Sequence, residues 1–103
     1  MSHLLIKKYT ELLNKGMHKS AIKLFHEDAV IIDHDGNMRE MPAIPHYLSG
    51  FGDEITFKLY RINKKNGKFI AIGALHHEKK CVHVKKEFTI EKNRIKSLTI
   101  SKI

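Results

Sequence analysis

Phe25-His26-Glu27-Asp28-Ala29-Val30-Ile31-Ile32-Asp33-His34-Asp35-Gly36 decides how this chain is read: an amphipathic segment ends in it, and a short β-branched run follows with an acid at its far end. Valine and isoleucine favour a pleated, half-buried surface, so Ala29 to Ile32 is expected as a strand. Glu27-Asp28 is too polar for a core and is expected as the exit from a helix. Asp35-Gly36 and Gly36-Asn37 are turn dipeptides that would reverse the strand and return it through Met38, Arg39 and Glu40. If the run edges a sheet that curls over a pocket, Asp33 is the side chain best placed to look into it.

Upstream, Leu5, Ile6, Tyr9, Leu12 and Leu13 recur at spacings of three and four, which is the pattern of an amphipathic helix over His3 to Lys15. That pattern leaves Lys7, Lys8, Glu11 and Asn14 for solvent, and Gly16 stands where a left-handed cap is wanted. Ala21, Ile22, Leu24 and Phe25 suggest a second helix from Lys19 to His26. Downstream, Pro42 can open a third, from Ala43 to Leu48, which Pro45 keeps short or irregular. Gly50, Gly52 and Asp53 then break the chain.

Four strand-like segments follow. Ile55, Phe57 and Leu59 alternate with polar residues; Lys64-Lys65-Asn66-Gly67 is a hairpin turn; Phe69 to Leu75 is apolar on both faces. After a turn at Glu78 to Lys80, Val82, Val84, Lys86, Phe88 and Ile90 share one face. Glu91-Lys92-Asn93 turns again, and a phase change between Ile95 and Leu98 predicts a bulge in the last strand. The order predicts one α+β domain over residues 1–103, with the N-terminal helices packed on one face of a strongly bent antiparallel sheet. Such a sheet leaves a cone-shaped interior suited to a small apolar or amphipathic ligand. Val30, Ile32, Phe57, Leu59, Phe69, Val84, Phe88 and Ile100 are expected in the interior or on a dimer face, with Tyr9 beside Phe25. The doubly apolar Phe69–Leu75 segment predicts a homodimer, because so few helices cover only one face.

Composition narrows the partners. The net charge of +8 invites nucleic acid, but the lysines are scattered and arginine occurs only at Arg39, Arg61 and Arg94, which argues against a phosphate-binding surface. No apolar run reaches the roughly 20 residues of a membrane helix. The N-terminus lacks the apolar core of a secretory signal, so a cytoplasmic location without membrane association is expected. Cys81 is the single cysteine; it excludes an intrachain disulfide and reads as a buried structural thiol. The eight histidines form neither HxxxH nor HExxH. His34 and His46 would share a metal only if the third helix folded over the hairpin, and neither metal nor cofactor is expected.

The run Tyr9-Thr10-Glu11-Leu12-Leu13-Asn14-Lys15-Gly16, then Ala21 to Phe25, then Glu27-Asp28-Ala29-Val30 with Asp33 and Gly36, resembles the nuclear transport factor 2-like superfamily, which includes ketosteroid isomerases and SnoaL-like polyketide cyclases. The resemblance implies a cone fold hosting enzymes, scaffolds and transport factors alike. It places Tyr9 where the isomerase keeps its oxyanion-hole tyrosine and Asp33 where it keeps its carboxylate base, and it puts Lys86 where the isomerase keeps a protonated acid. Isomerase, cyclase or dehydratase chemistry by proton transfer is one implication; a non-catalytic dimeric interaction module is the other. Replacing one of two enolate donors costs about 100- to 1000-fold, so efficient ketosteroid isomerisation is not expected.

Each site residue has a structural alternative. Tyr9 on an apolar helix face can be core. Asp33 can cap its own hairpin, although Asp35 is the more natural turn acid. Lys86, Phe88, Val84 and Phe57 are expected to line the ligand site. Lys86 itself admits three readings: a charge snorkelling to water, an ion pair with Asp33 that weakens it as a base, or a desolvated amine nucleophile.

Overall fold

The computed structural model describes residues 2–52 and 54–103; the chain break expected at Asp53 lies outside them. Helix α1 (Ser2–Asn14) buries Ile6, Tyr9, Thr10 and Leu13. It ends in a Schellman cap: Gly16 takes φ +74°, its N–H donates to Leu13 O at 2.9 Å and the Met17 N–H donates to Leu12 O at 2.8 Å. Gly52 packs directly on this cap, since a Cβ there would stand 2.7 Å from Gly16 Cα. Asn14, expected in solvent, turns inward instead. Its Nδ2 donates to Phe57 O and its Oδ1 accepts from Phe57 N–H, both at 2.8 Å.

The second helix is shorter than expected. Only His18–Ala21 is α-helical (α2), a 3-10 turn covers Ile22–Leu24, and β1 already runs Phe25–Ile32. Glu27-Asp28 is therefore not a helix exit: both residues are exposed within β1, where the register against its neighbour slips between Phe25 and Val30. Strands β2 (Met38–Glu40), β3 (Ile55–Lys65), β4 (Lys68–His77), β5 (Lys80–Glu91) and β6 (Arg94–Lys102) follow, with α3 (Ile44–Leu48) between β2 and β3.

The strands form one sheet in the order β2-β1-β6-β5-β4-β3. Four pairings are antiparallel, and β1 with β6 is parallel. The sheet is thus mixed, because the chain crosses the whole meander before β6 returns beside β1. Register shifts occur in β3 between Leu59 and Arg61 and where β6 carries Lys96 opposite Thr89/Ile90. The second is the bulge expected between Ile95 and Leu98, and such insertions bend and twist a sheet. Asn66 and Gly67, and Lys92 and Asn93, all have positive φ, the backbone that two-residue hairpins require.

One core fills the concave side. Ile6, Tyr9 and Leu13 of α1, with Ile44 and Leu48 of α3, pack on Ile31, Phe57, Ala71, Val84, Phe88, Leu98 and Ile100. Leu59 and Phe69 join them partly buried, and Tyr9 meets Phe25 edge-on at 5.4 Å. In β1 the inward residues are Ala29 and Ile31, which leaves Val30 and Ile32 half-buried on the outer face. Cys81 is exposed, not buried: it pairs with His76 at the start of β5, on the face opposite Val82 and Val84. No helix among the described residues is long and apolar enough to cross a membrane.

Candidate ligand pocket

The inward parity of β1 carries past Ile31 to Asp33, and that of β5 places Lys86 between Val84 and Phe88. Lys86 is paired with Ala71 on one side and Ile100 on the other, and Ile32 is paired with Thr99, so the next step along both strands sets Asp33 beside Ile100. Lys86, Ile100 and Asp33 thus form one row across three strands. Two strand spacings, about 10 Å, separate the outer backbones of that row.

A cavity of about 220 Å³ lies over this row, lined by Asp33, His34, Tyr47, Gly50, Phe51, Ile55, Leu75, Lys86 and Ile100. Phe51, Ile55, Leu75 and Ile100 make its apolar wall. Its mouth is at His34 and Gly50, both exposed.

Lys86 is only 2% exposed, which rules out snorkelling. Its Nζ stands 4.0 Å from the Phe57 ring centre and 5.9 Å from that of Tyr9, so aromatic faces take the place of water around the ammonium. The Phe57 ring fits there because Gly73 has no side chain: a Cβ on Gly73 would fall 2.6 Å from Phe57 Cζ. Among the described residues, no carboxylate comes within 4.0 Å of Lys86. The ion pair with Asp33, one of the three readings, does not form within this distance; Ile100 holds the strand position between the two residues. Burial pushes the Lys86 amine down to about 8, and the Asp33 charge offsets part of that fall.

Asp33 is held by its own hairpin. Its Oδ1 accepts the His34 N–H at 2.8 Å and lies 3.0 Å from His34 Nδ1, and its Oδ2 accepts from Arg39 Nη1 at 3.4 Å. Asp35 is the turn acid, accepting the Asn37 N–H at 3.0 Å. The Arg39 guanidinium stacks 4.5 Å from the Tyr47 ring centre. Burial pushes the Tyr47 phenol up, and the Asp33 charge adds to it, so Tyr47 keeps its proton beside the carboxylate.

Asp33 and Lys86 therefore share one cavity, with Phe57 beneath the lysine. Tyr9 does not reach the cavity wall: it is 1% exposed, packed edge-on against Phe25 and Phe88, and burial raises its phenol well above the ordinary value. Phe88 and Val84, expected at the ligand, lie in the core below. His46 lines a separate groove with His18 and Lys19, so it does not join His34, and no group of three metal-ligating side chains gathers among the described residues. Tyr47, Phe51 and Arg39 were not legible as site residues. The one available signal was the spacing of Tyr47 and Phe51, one turn apart after Pro45; their rings meet at 5.3 Å.

No family model matches the sequence, and no curated protein is similar to it. Solved structures are similar over almost the whole chain. The epoxide hydrolase/cyclase-like enzyme SalBIII, of pyran ring formation in the polyether salinomycin, superposes with a TM-score of 0.88 at 15% identity, covering 99% of this chain and 90% of that one. A candidate ketosteroid isomerase from Kribbella flavida gives 0.87 at 12% identity, covering 99% and 77%. An NTF2-like protein of unknown function from Cytophaga hutchinsonii gives 0.84 at 15% identity, covering 100% and 90%. The fold is nuclear transport factor 2-like. Within that nuclear transport factor 2-like frame the meander and α1 supply the walls of the cone, and α3 with the β1–β2 hairpin supplies the rim at which Asp33, Arg39 and Tyr47 meet.

Proposed function

We propose that this protein binds a small apolar or amphipathic molecule in the cavity between Asp33 and Lys86. One observation carries the reading: Phe51, Ile55, Leu75 and Ile100 line the same cavity as the ionisable side chains of Asp33, His34, Tyr47 and Lys86, the arrangement by which an apolar body is held and a polar head oriented. Proton-transfer chemistry of the isomerase, cyclase or dehydratase kind falls within this reading, with Asp33 as the base. The fold shared with an epoxide hydrolase/cyclase-like enzyme supports it. A non-catalytic dimeric interaction module is the second reading, favoured by the apolar residues on the outer face of the sheet.

The test is an NMR titration with a panel of small ketones, alcohols and carboxylates, with turnover of an enolisable steroid ketone followed in parallel. Shifts confined to Tyr47, Phe51, Leu75 and Ile100, lost in the cavity-filling variant Leu75→Trp, are expected, with no efficient steroid turnover. Turnover abolished by Asp33→Asn would make the protein an acid–base enzyme, whereas no response from the cavity would leave the interaction module.

A further inference from the structure

Of the three readings that Lys86 admits, the structure removes two. The side chain does not reach water, being 2% exposed, and it makes no ion pair within 4.0 Å among the described residues. It sits instead on the wall of an apolar cavity, its Nζ over the Phe57 ring at 4.0 Å. Asp33, the nearby acid, is already engaged by Arg39 and His34. A buried lysine with no anion within 4.0 Å among the described residues, on the wall of a largely apolar cavity, is in the setting that turns an amine into a nucleophile.

We propose that the Lys86 amine condenses with the carbonyl group of a small apolar aldehyde or ketone in this cavity to form a reversible imine. This deepens the binding reading above and rests on it. The nitrogen lone pair adds to the carbonyl carbon while the carbonyl π pair moves to oxygen, and a proton passes from nitrogen to that oxygen to give a carbinolamine. The hydroxyl then takes up a proton and leaves as water while the nitrogen lone pair forms the C=N bond; the remaining N–H proton returns to the carrier. One amine and one carbonyl give one imine and one water, with no oxidant or reductant. Asp33, which lines the same cavity, is the group that can carry these protons. At pH 7 an amine held down at about 8 is about one-tenth unprotonated, whereas exposed lysines are almost wholly ammonium. The titratable and charged groups around it are Tyr9 of α1, Asp33, His34 and Arg39 of the β1–β2 hairpin, and Tyr47 of α3.

The experiment treats the intact protein with benzaldehyde, and separately with butanal, in the presence of sodium cyanoborohydride, and maps the alkylated lysines by mass spectrometry. Benzyl alcohol and benzoate serve as non-condensing probes, read by NMR at the cavity residues. Lys86 is expected to be labelled at pH 7 at least about ten-fold faster than any other lysine, an advantage that shrinks above pH 10, where exposed amines also lose their protons. Benzyl alcohol should slow it, and Lys86→Met should lose that label while keeping the slow surface ones. The pH profile of the unaltered protein tests the proposal independently of whether the variant folds. If benzyl alcohol or benzoate binds the cavity while Lys86 is labelled no faster than surface lysines, the imine is overturned and the binding reading stands. If no probe perturbs the cavity and Lys86 gains no preferential label, both fail.

Discussion

A buried lysine without a carboxylate costs stability, and the sign and pH window of that cost follow from its titration. Lys86 is ordinarily protonated up to 10.5 and in the fold only to about 8, so between those values the unfolded chain holds a proton that the native one has lost. Stability contributed by this group therefore rises with pH across that window; below about 8 both states are protonated and the full cost of the buried charge, on the order of 3 kcal/mol, is present. Replacing the ammonium by an apolar side chain of similar length should relieve it. Lys86→Met is expected to be more stable than the parent by about 1–3 kcal/mol at pH 7 in urea unfolding, with the difference shrinking toward zero by about pH 10 to 11. A difference independent of pH, or of the opposite sign, would mean that Lys86 is not held as a desolvated amine.

At the level of elements, the α1–β3 junction depends on one side chain. β3 is an edge strand, and the Asn14 amide presents a donor and an acceptor to the Phe57 backbone as a neighbouring strand would, both at 2.8 Å. Asn14→Ala leaves a part-buried N–H and C=O without these partners and is expected to cost roughly 2 kcal/mol, measured by thermal or urea unfolding; Asn14→Asp, which keeps only the acceptor, should fall between. A cost below about 0.5 kcal/mol would mean that water replaces the clamp. Polarity alone assigned Asn14 to solvent, because nothing local to α1 reveals an edge strand 43 residues away. The same limit explains the other misreadings. Ala21 to Phe25 carries helical spacing, yet pairing of Phe25 with Ile95 draws Phe25 into β1 and ends the helical turns at Leu24. Four apolar residues in a row give β1 no reliable parity: Val30 and Ile32 were expected in the interior or on a dimer face, whereas Ala29 and Ile31 are the inward pair. Where turns and alternation are strong, as in β4 to β6, the strands, the bulge and the face that Lys86 shares with Val84 and Phe88 were all legible, but alternation alone did not tell a lysine that snorkels to water from one buried at 2% exposure. The rim was not, because Arg39, Tyr47 and Phe51 belong to elements that meet only in the folded chain.

On the scale of the whole molecule, the outer face of the sheet is what the fold leaves without a helical cover. Val30, Ile32, Ile70 and Ile72 lie half-buried on it beside Thr89 and Thr99, and its charged pair Lys85–Glu87 is self-neutralised at 3.2 Å. A twofold mate laid on this face would complete the burial that Phe69–Leu75 implies, given that standard interfaces remove about 800 Å² per partner. Each chain, however, carries a net charge of +8, so two copies repel at long range. Screening that repulsion should tighten the dimer as salt rises from about 0.01 to 0.15 M, while the Debye length falls from about 30 to 8 Å. Binding to nucleic acid would weaken over the same range, because released counterions drive it. Sedimentation at several salt concentrations is therefore expected to show a dimer whose dissociation constant decreases with salt, and a folded monomer for Ile72→Lys. A native monomer at high micromolar concentration in 0.15 M salt would remove the dimer, and with it the interaction-module reading that depends on that face.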